Sequence, residues 1–108
     1  MIEPGNLRDD AAAPSSGERF DTLLRHRNLH VERIISSQDM TPTACEQAQD
    51  EWVLLVEGAA TLEIAGQVVR LKSGDHVFLP AHTPHMVLEA SQGAMWLAVH
   101  LHPTGEQP

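Results

Sequence analysis

Two residues of the chain, Glu51 and His85, stand where side chains of their types can do chemistry together. His85 ends the stretch 74–85, in which a glycine–aspartate turn, a short apolar strand and a proline-bounded loop follow one another. Turn residues fix the backbone on both sides of that strand, so the imidazole is held at a set distance and direction. Glu51 heads its own apolar strand, which Gly58 closes. A carboxylate and an imidazole held at the starts of two strands are what a metal site or a small polar pocket requires.

Composition limits the classes of protein that the chain can belong to. It has 108 residues, 42% of them hydrophobic, and a formal net charge of −8, which predicts one domain with a real core. The negative charge removes the main driving force for binding a phosphate backbone, so nucleic acid is not expected as a partner. No apolar run approaches the roughly 18 residues of a membrane span, so no membrane partner is expected either. The lone Cys45 suits a reducing compartment and predicts a cytoplasmic protein.

The elements that must position Glu51 and His85 are predicted to be strands, with one short helix before them. Ser15-x-x-Glu18 has the form of a capping box, and apolar residues at helical spacing behind it predict a helix over residues 16–26. Seven strands at regular spacing predict an all-β antiparallel sandwich or barrel; they cover residues 31–37, 52–56, 60–64, 68–72, 76–79, 85–90 and 94–101. We therefore divide the chain into an N-terminal tail and helix (1–28), a barrel domain (29–103) and a C-terminal tail (104–108).

Several strands are apolar on both faces, as in residues 51–56, where Glu51, Val53 and Leu55 alternate with Trp52, Leu54 and Val56. A strand of this kind is covered on both sides. A second copy of the chain is the economical cover and predicts a homodimer; the alternative is that the N-terminal tail and helix cover the outer face. In the last strand Met95, Leu97, Val99 and Leu101 form the more apolar set, so His100 and His102 are expected on the outer face.

The order of these motifs resembles the cupin superfamily of small double-stranded β-helix barrels. Gly74, Pro80 and His85 match the spacing of the second cupin signature, and Glu51 and Gly58 match the end of the first. The resemblance covers about residues 30–101 and looks closest to the small single-domain cupins. It implies a barrel with a metal or a small molecule in its interior.

One departure from the cupin pattern affects the expected metal site. Where cupins usually carry His-x-His upstream of the glutamate, this chain has Cys45, Glu46 and Gln47. Cys45 and Gln47 are two apart, so in an extended segment both project from one face. With Glu51 and His85 they form a candidate ligand set for one divalent ion, zinc or iron(II) in the first place, with manganese or nickel also open. A glutamine carbonyl is a weak ligand, so the affinity should fall below that of a three-histidine site.

Simpler interpretations of the same residues stay open. Glu51 can be a solvated carboxylate at a strand start, and His85 can satisfy loop carbonyls as a neutral donor. Cys45 is more often a small buried hydrophobic residue than a ligand. His82 is expected at the surface.

The hypothesis that follows is a metal-dependent isomerase, lyase or oxygenase acting on a small polar molecule, in which Glu51 or His82 would move a proton. The alternatives are a non-catalytic small-molecule binding or sensing module without metal, and a dimeric structural protein. By alternation, the pocket is expected to be lined by Val53, Leu55, Leu62, Val87 and Leu97.

Overall fold

A computed structural model describes residues 2–103, and all its regular elements are β-strands. The strands are β1 (Glu18–His26), β2 (Leu29–Ser36), β3 (Asp50–Glu57), β4 (Ala59–Ile64), β5 (Gln67–Lys72), β6 (His76–Leu79), β7 (His85–Ala90) and β8 (Met95–Leu101). The seven strands predicted from their regular spacing are all present. Within the described residues there is no helix with the length and apolar character needed to cross a membrane. The predicted C-terminal tail, 104–108, lies outside the described residues.

The strands form two antiparallel sheets that face each other, as expected for a cupin barrel. One sheet has five strands in the order β1-β2-β8-β3-β6, and the other has three in the order β5-β4-β7. The core between them is built from inward-facing apolar side chains of both sheets, among them Val53, Leu55, Leu62, Leu71, Leu79 and Trp96. Strands distant in sequence are neighbours in space, since β8 lies between β2 and β3.

The predicted helix at 16–26 is wrong, because this segment is strand β1. Glu18 pairs with Ser36 and His26 with Leu29, and the register shifts between Thr22 and Leu24. The apolar residues with helical spacing in the sequence, Phe20, Leu23 and Leu24, lie around this register shift. The supposed capping carboxylate of Glu18 instead accepts a hydrogen bond from the Ser36 hydroxyl at 3.0 Å. Pairing with β2 therefore overrides a weak local helix preference.

Part of the outer face of the five-stranded sheet is covered by the N-terminal segment, which Arg33 holds in place. The Arg33 side chain is buried and donates to the Leu7 carbonyl at 2.8 Å and to the Asp9 carbonyl at 2.6 Å. It also forms a two-pronged ion pair with Asp21, at 2.8 and 3.1 Å. Cover by the N-terminal tail and helix was the alternative to a homodimer in the sequence analysis. Over this part of the face the tail does provide the cover, but without a helix.

The rest of the outer face carries an apolar row that crosses all five strands. Leu24 pairs with Val31, Val31 with Val99, Val99 with Trp52, and Trp52 with Phe78. At about 4.8 Å per strand the row is about 19 Å long. Its two ends are open to solvent: Leu24 is 46% and Phe78 is 58% exposed.

Gly58, the glycine that closes β3, is required by both its conformation and its surroundings. Its φ is +103°, and an added Cβ would lie 2.7 Å from the Ser91 Oγ and 3.1 Å from the Ala94 backbone. We expect Gly58→Ala to lower the free energy of unfolding by about 1–3 kcal/mol in urea denaturation. The control is Gly66→Ala, where φ is +82° but no atom lies within 4 Å. Equal losses at the two positions would show that the close approach at Gly58 costs nothing.

The pair of Arg33 and Asp21 should make stability depend on pH in the acid range. The hydrogen bond from Arg33 holds the pKa of the Asp21 carboxyl below its usual value of 3.8. The stabilisation by the pair is therefore complete above the unfolded-state pKa and is lost as the pH falls through the lower folded-state pKa. We expect the stability difference between wild type and Asp21→Asn to shrink between about pH 5 and pH 3 in urea denaturation. The matched control is Asp39→Asn, at an exposed position. A stability difference that does not change with pH for Asp21→Asn would contradict the assignment.

Candidate functional site

A cavity of about 410 Å³ opens between the two sheets, and acidic and imidazole side chains form its polar wall. The carboxylates are those of Glu18, Glu32 and Glu51, and the imidazoles are those of His85 and His100. The amide of Gln47 lines the cavity beside them. Among the lining residues that the structure describes, none is Lys or Arg. The remaining lining is mostly apolar and includes Val53, Leu62 and Val87, three of the five residues expected there. Leu55 instead lies in the closed core, and Leu97 faces outward.

Glu51 and His85 do face the same cavity. The Glu51 Oε1 and the His85 Nε2 are 4.0 Å apart, and the two side chains are only 9% and 14% exposed. The His85 Nδ1 lies 2.9 Å from the Thr83 carbonyl oxygen. A carbonyl only accepts, so Nδ1 carries the proton, and in the neutral ring Nε2 presents its lone pair toward Glu51. Outer-shell contacts of this kind fix the tautomer of histidines that bind metals.

Gln47 and Cys45 both line the cavity, but only the Gln47 side chain contacts Glu51 in a hydrogen bond. The Gln47 amide nitrogen donates to the Glu51 Oε1 at 2.7 Å, so Gln47 holds that carboxylate in place. Cys45 is joined to His85 by two backbone hydrogen bonds of 2.8 and 2.9 Å, but its side chain is exposed. The Cys45 Sγ lies 3.8 Å from the Thr43 carbonyl oxygen. The interpretation of Cys45 as a small buried hydrophobic residue is therefore wrong.

His100, which the sequence placed on the outer face, is buried and lines the cavity. Its Nε2 donates to the Glu32 Oε1 at 2.9 Å and lies 3.9 Å from the Glu51 Oε2. The parity argument failed because both faces of β8 are apolar, so the more apolar set did not mark the interior. Burial opposes the charge on His100, but the hydrogen bond to Glu32 and the charges of Glu51 and Glu32 outweigh it and raise its pKa.

Glu18 is a second cavity residue that sequence reasoning missed, because its carboxylate was assigned to a helix cap. It accepts from the Ser36 hydroxyl, whose oxygen in turn accepts from the Trp96 indole at 3.0 Å. Burial raises the pKa of Glu18, the Ser36 hydrogen bond works against this, and the charges of Glu32 and Glu51 raise it further. Period-two alternation along β1 was the signal that could have found it.

Fold and motifs together define the class of this protein. A family model described as a cupin domain matches residues 31–106. The chain belongs to the cupin family. No curated protein matches it.

Solved structures agree with this membership. A protein of Ralstonia eutropha JMP134, provisionally named a mannose-6-phosphate isomerase, is 32% identical, with a TM-score of 0.82 over 94% of this chain and 100% of that one. An RmlC-like cupin from Shewanella frigidimarina NCIMB 400 is 16% identical, with a TM-score of 0.77 over 94% and 91%. KdgF from Halomonas sp. is 19% identical, with a TM-score of 0.73 over 82% of each chain. At these lower identities the likeness concerns the fold.

The residues at the family's metal position fit a divalent ion in part. Glu51 and His85 offer an oxygen and a nitrogen that face each other across 4.0 Å. With ligand bonds of about 2.0–2.2 Å at a tetrahedral ion, the two atoms would have to approach each other to roughly 3.4 Å. Gln47 could offer its amide oxygen if the amide turned over. Among residues 2–103, one group of three His, Cys, Asp or Glu side chains has its ligand atoms within 4.8 Å of one another, and it consists of His30, Glu32 and His100. The exposed Cys45 thiol does not belong to this group.

Proposed function

We propose that the barrel binds a small polar molecule in its cavity together with a divalent metal ion, zinc or iron(II) in the first place, held by Glu51 and His85. Gln47 and Cys45 are the weaker members of this ligand set. The observation that carries the proposal is the facing pair of Glu51 Oε1 and His85 Nε2 inside the cavity, 4.0 Å apart. An ion bound there would polarise a carbonyl or hydroxyl oxygen of the substrate. The protein would then act as a metal-dependent isomerase, lyase or oxygenase.

Other side chains of the cavity would position the substrate and move its proton. Glu18 faces the same cavity, and burial raises the pKa of its carboxyl, which is the direction that suits a general acid. His82, considered as a proton carrier from the sequence, is exposed on its loop, so Glu18 replaces it in this role. The apolar lining, which includes Met40, Leu62 and Val87, would exclude water from the remaining surface of the ligand.

The charge of the cavity favours an uncharged or cationic ligand. Three carboxylates line it, those of Glu18, Glu32 and Glu51. Arg33, the residue after Glu32 on β2, points to the opposite face. A phosphorylated sugar, which the name of the Ralstonia protein suggests, would therefore rely on the metal alone to neutralise its phosphate. We infer a small hydroxylated or carbonyl compound without a phosphate group. A binding module without metal is the second candidate, favoured by the loss of both histidines at positions 45 and 47.

The test is the metal content of the His85→Ala variant. Since His85 supplies the one nitrogen ligand at this position, we expect at least about a tenfold loss of affinity for zinc there, with the fold retained by circular dichroism. Cys45→Ser should cost less. His82→Ala, which removes an exposed imidazole from the same loop, is the matched control and should bind zinc like wild type. Unchanged zinc binding in His85→Ala would refute the assignment of the ion to Glu51 and His85, and the absence of zinc binding in wild type would leave the metal-free binding module.

We also propose that a second copy of the chain covers the apolar row Leu24–Val31–Val99–Trp52–Phe78. Such a row across a sheet face is self-complementary about a twofold axis, and isologous dimers of this kind are the commonest oligomers. Exposed apolar stripes of this extent mark interaction surfaces. The cytoplasmic location expected from the lone cysteine stays a prediction.

The homodimer predicts a specific response to charge placed on this row. We expect wild type to be a dimer by light scattering and Phe78→Asp to be a monomer, because the new carboxylate would be buried without a partner. Val68→Asp is the matched control, since Val68 is 59% exposed and Phe78 is 58% exposed but Val68 lies on β5 of the other sheet. A monomeric wild type at about 100 µM, a concentration at which micromolar dimers persist, would end this proposal.

A further inference from the structure

A cluster of metal-ligating groups lies beside the cavity, away from the position where the cupin family binds its metal. His30, Glu32 and His100 each offer one ligand atom, and these atoms lie within 4.8 Å of one another. The strand register brings them together: His30 pairs with His100 across β2 and β8, and Glu32 follows His30 on the same inward face. The two imidazole rings stack with centroids 5.5 Å apart.

We propose that His30, Glu32 and His100 form a second site for a divalent cation, with zinc as the ion that the donor set suits best. Two imidazoles and one carboxylate, with a further position open, are the donor set of many zinc sites. Each oxygen of Glu32 faces a different imidazole: Oε1 lies 2.9 Å from the His100 Nε2, and Oε2 lies 4.0 Å from the His30 Nε2. The carboxylate is thus already placed between the two nitrogens that would share the ion with it.

The surroundings supply a fourth ligand and an outer shell. The Glu51 Oε2 lies 3.9 Å from the His100 Nε2, so Glu51 can approach an ion at this site from the floor of the cavity. The Gln49 amide lies 3.4 Å from the His100 Nδ1. The amide nitrogen is the atom that faces Nδ1. When His100 binds an ion through Nε2 and carries its proton on Nδ1, the amide would turn over and accept a hydrogen bond with its oxygen, as outer-shell partners of metal-bound histidines do. The Thr22 hydroxyl, 3.1 Å from the His30 Nε2, must turn away or donate elsewhere.

Charge supports a cation at this place. The three side chains are nearly enclosed, with 14%, 13% and 8% of His30, Glu32 and His100 exposed. Two more carboxylates, those of Glu18 and Glu51, face the same cavity. Arg25 pairs with His30 in the sheet register, but its side chain is exposed. A divalent ion would neutralise this acidic wall, since no Lys or Arg is among the described residues that line the cavity.

This site is separate from the one at Glu51 and His85, because its ligands come from β2 and β8 and not from β3 and β7. The two sites would share only the Glu51 carboxylate, one oxygen of which faces His85 and the other His100. The separation allows each to be removed without the other.

The experiment is a zinc titration of chelator-treated protein by calorimetry, with wild type and four variants. We expect His30→Ala and the near-isosteric Glu32→Gln each to weaken one zinc-binding event at least about tenfold, while His85→Ala retains that event. His102→Ala is the matched control and should titrate like wild type, because its ring lies 6.4 Å from that of His100 but outside the cluster. Glu32→Gln preserves the volume of the side chain, so it reports on the site even where His30→Ala unfolds.

Zinc binding that His30→Ala and Glu32→Gln leave unchanged would overturn the second site. Zinc binding that His85→Ala abolishes entirely would overturn it too, and would leave the family position as the single metal site. Loss in His30→Ala and Glu32→Gln with full retention in His85→Ala would establish the second site and reject the first.

Discussion

Replacing Arg33 with alanine is expected to lower the free energy of unfolding by about 3–5 kcal/mol, because it breaks a largely buried ion pair. Arg33 is 5% exposed. Its guanidinium donates twice to the Asp21 Oδ2 and also to carbonyls of the N-terminal segment. Its removal leaves the Asp21 carboxylate without its main partner and the carbonyls of Leu7 and Asp9 without a donor. The measurement is urea denaturation followed by circular dichroism.

The control for this prediction is Arg8→Ala. Arg8 pairs with Glu57 at 3.1 Å, but both side chains are more than half exposed, at 60% and 56%, and such surface pairs contribute about 0–1 kcal/mol. If the two arginine variants lost similar amounts of stability, the N-terminal segment would not depend on Arg33. Arg33→Lys should fall between them, because a lysine keeps the charge but cannot reproduce the fork of donors.

Truncating Leu55 to alanine is expected to cost about 2–5 kcal/mol. Leu55 is fully buried, pairs with Trp96 across β3 and β8 and belongs to the core between the sheets. The lost methyl groups leave a cavity that the surrounding strands, each fixed by its ladder of hydrogen bonds, can close only in part.

The adjacent residue on the same strand, Leu54, provides the comparison. It faces the outer side of the sheet and is only half-buried, so Leu54→Ala should cost clearly less in the isolated chain. A loss at Leu54 that matches the loss at Leu55 and grows with protein concentration would point to the proposed homodimer, because dissociation then contributes to unfolding. A small loss at Leu55 would contradict the location of the core.

The side chains of this cavity suggest how a cupin could bind a metal ion at a position other than the usual one. With two histidines of the usual metal position replaced by Cys45 and Gln47, the strongest donors left there are Glu51 and His85. The β2–β8 side, by contrast, presents two imidazoles and a carboxylate. Both metal proposals depend on side chains that face one acidic cavity, and the two titration variants, His30→Ala and His85→Ala, decide between them.

Local sequence determined the strands and the family. Short runs bounded by turn residues, at regular spacing, predicted the seven strands from β2 to β8. Gly58 was identifiable as the close of β3, since few other residues adopt its positive φ. Glu51 and His85 were identifiable because turns fix their places along the chain, and the structure brings them to one cavity.

Only the tertiary structure decided the rest of the site. Residues 18–26 carry apolar spacing that fits a helix, and pairing with β2 makes them a strand. His100 lies inside although its neighbours Val99 and Leu101 are more apolar. Alternation identifies the inner face of a strand only when the outer face is polar, and an apolar row occupies the outer face of β8. His30 and His100 are 70 positions apart and meet through the register of β2 with β8. Such a register is set by the packing of whole sheets, and no spacing along the chain records it.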